Sequence, residues 1–253
     1  MARRTSPKGL GAALLGVTVF SLMLAGFGLV ERRASASAQD WPTVRQSTLD
    51  KFLFSGQDGS GGQRLARWES DMVLDFYYAK GKAYVREVVA MINKRGLMGG
   101  HKVHMLPPAT SQGTALTDPF NFAVGVSSDV FNLALQPRPE LGTAAYQSHA
   151  RQSGCFAHPA GRNYKSHIIS SGRIMTRQDL SKEALRDCIL RGLLLTAGLG
   201  HTREMAFRSS PLSEAEREDA FKVLQLVYHP RVRPGMTRAE FTQALRSEGL
   251  IVD

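Results

Sequence analysis

Two spacings of apolar residues recur along this chain, one of about two residues and one of about three to four, and together they predict alternating strands and helices. Residues 68–78 alternate, with Met72, Leu74 and Phe76 on one side and Val73 and Tyr77 on the other, which predicts a strand. After Gly81, Tyr84, Val85, Val88, Val89, Met91 and Ile92 recur at helical spacing as far as Gly96. Residues 101–106, stopped by Pro107 and Pro108, and residues 120–126, with Phe120, Phe122, Val124 and Val126 on one face, predict two further strands. Residues 165–174 predict another, centred on Ile168 and Ile169, while 137–154 is rich in turn formers and predicts a surface crossing. Ahead of all these, 41–54 predicts a short helical segment, and the Gly/Ser-rich run 55–63 a flexible connection.

The stretch 187–201 (DCILRGLLLTAGLGH) organises the rest. Charged first turns (Lys182, Glu183, Arg186, Asp187) give way to Ile189, Leu190, Leu193, Leu194, Leu195 and Ala197, apolar all round, so this helix is expected in the core. Gly198 and Gly200 are expected to end it in the left-handed conformation. Two more helices are announced by capping boxes, Ser213 with Glu216 and Thr237 with Glu240, and between them Pro234-Gly235 suits a type II turn. The predicted fold class is α+β: a small mixed sheet with helices packed on one side, plus C-terminal helices.

Composition changes the picture mainly at the N-terminus. Residues 1–38 combine a basic start, an apolar stretch from Leu10 to Val30 and a small-residue ending Ala36-Ser37-Ala38, the layout of an export signal cleaved before Gln39. The apolar stretch also has the length of a membrane span, so an uncleaved inner-membrane anchor is the alternative, and either outcome places the body in the periplasm or outside the cell. The expected organisation is a leader over 1–38, an N-terminal segment and connection over 39–66, and one domain over 67–253. Of the formal charge of +10, the leader accounts for +4 and the rest for +6. No Lys/Arg run is interleaved with aromatics, so nucleic acid is not an expected partner; an envelope protein or an anionic cell-wall or lipid surface is.

Cys155 and Cys188 are the cysteines of the chain, and in an exported protein they are expected to form one disulfide, contributing about 3–4 kcal/mol on chain-entropy reasoning. The competing reading, residues 155–158 as half of a zinc site, lacks a second matching pair. No GxSxG elbow, phosphate-binding loop, dinucleotide fingerprint or HExxH occurs. His101 and His104, three apart in an extended segment, are expected on opposite faces; His149 and His158 fall in loop sequence and His167 flanks a strand. His201, just past the long helix, is the candidate site histidine, with His167 or Asp187 beside it; its structural alternative is a favourable charge at the helix C-terminus.

Residues 226–240 (LVYHPRVRPGMTRAE), together with Cys188 and Gly198-Leu199 ten residues on, resemble a bacterial secreted domain family of unknown function, number 2927. The resemblance spans about residues 67–250 and implies a zincin-like fold, with 187–201 as a degenerate counterpart of a zinc-peptidase helix. Aligned from Gly198, that helix would carry its first metal ligand at Arg191, its general base at Gly192 and its second ligand at Leu195. Arginine cannot bind zinc at neutral pH, and glycine and leucine offer no donor. The expectation is therefore no metal, no cofactor, no catalytic residue and a binding or assembly role. A hydrolase with an improvised site near 187–201, and a binder of anionic polymers through Arg231, Arg233 and Arg238, are the alternatives.

Overall fold

The computed structural model describes residues 40–54, 64–77, 81–106, 121–135, 144–159, 165–200, 202–206, 208 and 210–253. The leader and the 55–63 connection lie outside these residues. The described residues open with β1 (Val44–Arg45), α1 (Gln46–Leu49) and a π-helical turn over Asp50–Phe54 that buries Phe52 and Leu53. Next come β2 (Met72–Tyr77), α2 (Lys82–Lys94), β3 (Val103–Met105) and β4 (Phe122–Val126). They are followed by α3 (Ser128–Ala134), α4 (Ala144–Ser153), β5 (Cys155–His158), β6 (Gly172–Thr176) and α5 (Lys182–Ala197). The chain closes with α6 (Arg203–Ala206), α7 (Glu214–Val227), α8 (Arg238–Arg246) and β7 (Ile251–Val252).

Among the described residues the main sheet has the order β3-β2-β4-β6-β5, parallel throughout except for β5, which runs antiparallel to β6 at one edge. Alternation places Met72 and Leu74 of β2, Phe122 and Val124 of β4 and Ile174 of β6 in the core, under the helices on one side. α2 lays Val85, Val88, Val89 and Ile92 onto that layer. α5, capped by Ser181 Oγ accepting from Ala184 N, runs through the core and is buried from Cys188 to Ala197. This is the α+β architecture expected of the sequence. Both capping boxes form, at Ser213/Glu216 and Thr237/Glu240. Gly235 adopts φ +86, and Met236 N donates to Arg233 O, as a type II turn requires.

Several expectations need correction. Residues 137–154 do not simply cross the surface: α4 occupies 144–153 and buries Tyr146, Gln147 and Ala150. The strand expected over 165–174 is displaced, because Ile168 makes only an isolated bridge to Arg67 and the ladder begins at Gly172. β5 arises where a half zinc site was the competing reading. Gly198 does end α5 with φ +134, but Gly200 serves close approach: a Cβ there would lie 2.2 Å from Leu53 O. The expected transmembrane helix and inner-membrane anchor are corrected for the described residues, where no helix is long and apolar enough to cross a membrane; the Leu10–Val30 stretch itself lies outside them. Even the core helix α5 has 16 residues and carries Arg186, Asp187 and Arg191, short of the roughly 20 apolar residues a span needs.

Candidate functional site

The middle of α5 faces α4, the β5 edge and the residues Met205, Arg208 and Leu212. A buried ion pair dominates it: Arg191 Nε donates to Asp187 Oδ2 at 2.6 Å, one helical turn apart, with side chains 10% and 8% exposed. Burying two charges is tolerable only when their remaining hydrogen-bonding capacity is also met. Arg191 Nη1 donates to Met205 O at 3.1 Å and Arg208 O at 3.2 Å, while Asp187 Oδ1 accepts from Leu212 N at 3.0 Å. The pair therefore staples α6 and the start of α7 to α5. Arg208 continues the network outward to Glu216, which also accepts from Lys51 and the Ser213 N–H. The Arg208 guanidinium, ahead of Ser213 and Lys51, holds the Glu216 carboxyl far below the usual range against the opposing effect of burial.

The other two positions of interest on α5 are equally committed. Gly192 packs on β6 so closely that a Cβ would lie 2.8 Å from Ile174 Cδ1 and Cγ1. Leu195 is buried. Cys155 and Cys188 are joined by a disulfide with a Cα separation of 5.7 Å, tying β5 to α5 as expected. Between these elements lies a recess lined by Tyr146, His149, Ser153, Arg191, Gly192 and Leu195, among others, with a volume of about 10 Å³. That is room for a single water and too little for a substrate. Among the described residues no group of three or more His, Cys, Asp and Glu side chains could hold a metal.

His149, expected in loop sequence, lies instead on α4 and shares this recess with Arg191. Its protonation is disfavoured first by burial and then by Arg191, while a bond to the Arg208 backbone favours it. Tyr146, also on α4, donates its hydroxyl to Ala157 O at 2.6 Å and accepts from Ala157 N at 3.1 Å. Burial pushes its ionisation up to about 12. The signal for these residues was present as Tyr146, His149, Ala150 and Ser153 at helical spacing, hidden among turn formers.

The remaining candidates scatter. His201 lies outside the described residues. His167 sits at φ +55 with its ring 3.1 Å from where a Cβ on Gly235 would be, against the proline corner, whereas Asp187 serves Arg191 and Leu212. His104 pairs with Asp71 at 2.9 Å, and His101 stands edge-on to Tyr228. Arg231 pairs with Glu248, and Arg238 binds Asp50 through both Nε and Nη2; Arg233 is exposed. The proline corner thus spends two of its three arginines on internal carboxylates.

The C-terminal end of α5 is closed by neutral donors. Trp68 Nε1 donates to Thr196 O at 2.7 Å and Tyr228 OH to Ala197 O at 2.6 Å, so both terminal carbonyls are satisfied. The Tyr228 oxygen also accepts from Trp68 N, and Arg67 lies over its ring while donating to Val227 O. Beside it, His229 accepts from Arg231 N through Nδ1 and meets Trp41 edge-on.

The sequence model of the family described as "Protein of unknown function (DUF2927)" matches residues 52–247. The chain belongs to this family. The DUF2927 match runs from the π-helical turn to α8 and so takes in the main sheet, α5, the α4 recess and the Tyr228 closure. No curated protein and no solved structure matches the chain.

Proposed function

We propose that this DUF2927 protein is an exported envelope protein and a non-catalytic, zincin-like scaffold that acts in binding or assembly. The observation that carries this reading is the fate of the three α5 positions where a peptidase helix would keep its chemistry. Arg191 is locked into a buried pair and two backbone carbonyls, Gly192 is closed by Ile174, and Leu195 is core. The guanidinium supplies the fixed positive charge that a metal would supply elsewhere, but it is saturated and cannot exchange ligands or activate water. The disulfide fits an oxidising compartment, in agreement with the export-type leader.

The test is to purify the protein under oxidising conditions, expose it to zinc and measure both bound metal and hydrolysis of a mixed peptide pool. Less than about one metal per ten chains and no chelator-sensitive hydrolysis are expected. Peptide cleavage abolished by a chelator would overturn the reading.

A further inference from the structure

We propose that α4 is a cover over the outer edge of β5, and that acid releases it through His149. Among the described residues β5 ends the sheet, and its ladder to β6 leaves the N–H and C=O of Ala157 pointing away from the partner strand, toward Tyr146. An open edge of this kind is ordinarily paired or shielded. Here a single hydroxyl, that of Tyr146, takes both groups. Ser153 Oγ repeats the device one step along, accepting from Cys155 N at 3.4 Å and lying 3.4 Å from Cys155 O. Tyr146, His149 and Ser153 are three and four residues apart, so they share one face of α4, the face that lines the recess.

The edge beneath is anchored without α4. The disulfide ties Cys155 to α5, the ladder ties β5 to β6, and the Asp187–Arg191 pair bonds to Met205, Arg208 and Leu212. Lifting the helix would therefore expose a strand edge that stays in place.

What opposes lifting at His149 is conditional on charge. Among the described residues it shares the recess with the Arg191 guanidinium of α5, the Arg208 carbonyl beyond α6, Tyr146 of its own helix and the non-titrating Cys155 disulfide of β5. The nearby Asp187 carboxylate turns its oxygens to Arg191 and the Leu212 N–H, and the Arg208 side chain turns to Glu216. Protonating His149 thus sets two cations across a recess with room for one water. The closed form favours the neutral imidazole, as the lowered proton affinity from burial and Arg191 requires. Closure is then fully stable above the ordinary histidine value of about 6.5 and weakens as pH falls below it.

The experiment follows amide hydrogen exchange of the whole protein at Ala157 and at Leu193 in the core of α5, from about pH 7.5 to about pH 5. Protection, corrected for the intrinsic rate, should fall at Ala157 by up to about tenfold per pH unit, the limit for one proton, while Leu193 stays protected. His149→Gln should keep Ala157 protected across the range, and Tyr146→Phe should lower its protection at every pH. His158 is the other imidazole at this edge, and the glutamine variant separates the two. Unchanged protection in acid, the same loss in His149→Gln, an unaltered Ala157 in Tyr146→Phe, or a loss shared equally by Leu193 would each overturn the proposal.

Discussion

The middle of α5 and its C-terminal end are held by opposite chemistry. At its middle, the Asp187–Arg191 pair and the Arg208–Glu216–Lys51 extension bind the helix to α6, α7 and the N-terminal turn through charges. At its C-terminal end, Trp68 and Tyr228 do the same job with one indole N–H and one hydroxyl. A charged clamp is strong only while complete, because each partner left alone is a buried charge; a neutral closure loses one hydrogen bond at a time. The difference teaches where this scaffold is brittle and where it is tolerant. It also separates their responses to pH.

The largest effect should come from breaking the clamp. Arg191→Ala strands the Asp187 carboxylate and removes the donor to Met205 O and Arg208 O, and is expected to cost roughly 3–5 kcal/mol in a urea titration. The paired substitution Asp187→Leu with Arg191→Met, which removes both charges, should cost far less. Equal losses in the two variants would mean that packing, and not charge completeness, holds this region.

A smaller loss is expected at the neutral end. Tyr228→Phe deprives Ala197 O of its donor and Trp68 N of its acceptor, at about 1–3 kcal/mol. Burial pushes the Tyr228 hydroxyl well above its ordinary value of 10.0, so the folded state resists its ionisation. Its contribution is complete below pH 10 and is lost as pH rises above it. The wild-type protein should therefore weaken in alkali more steeply than the phenylalanine variant, which a pair of denaturation series at neutral and alkaline pH will read directly.

How much of this was visible in the sequence depends on whether a residue's partners are near it in the chain. β2, β4, α2 and α5 were legible because their apolar residues carry a regular period and face one layer. The capping boxes were legible because both partners lie within one turn. α4 was missed because its buried side consists of Tyr146, Gln147 and Ala150, too polar and too sparse to stand out beside Pro137, Pro139 and Gly142. Ile168 and Ile169 drew the fourth parallel strand too early: Ile169 is buried, but its N–H goes to Arg67 O and not to the ladder. Of the candidate site, Arg191, Gly192 and Leu195 could be singled out from their places on one helix. The roles they have depend on Met205, Ile174 and other residues that only the fold brings near, and His149 acquires its surroundings from three separate elements.

The smallest effect tests whether the clamp's outer rim behaves like its core. Ser213→Ala removes the hydroxyl that caps α7 and should cost about 1 kcal/mol. It should not abolish the acid sensitivity of this region. The Glu216 carboxyl is held down first by Arg208, and the Ser213 hydroxyl is the weakest of its favourable partners. A carboxylate depressed in the folded state contributes stability above its ordinary value of 4.5, and that stability drains away as pH falls below it. Urea titrations near neutrality and in acid should thus show the variant and the wild type as two curves offset by a nearly constant amount, falling together. If the alanine variant instead loses its acid limb, Ser213 is the true anchor of Glu216, and the rim belongs with the neutral closure at Tyr228 and not with the charged clamp at Arg191.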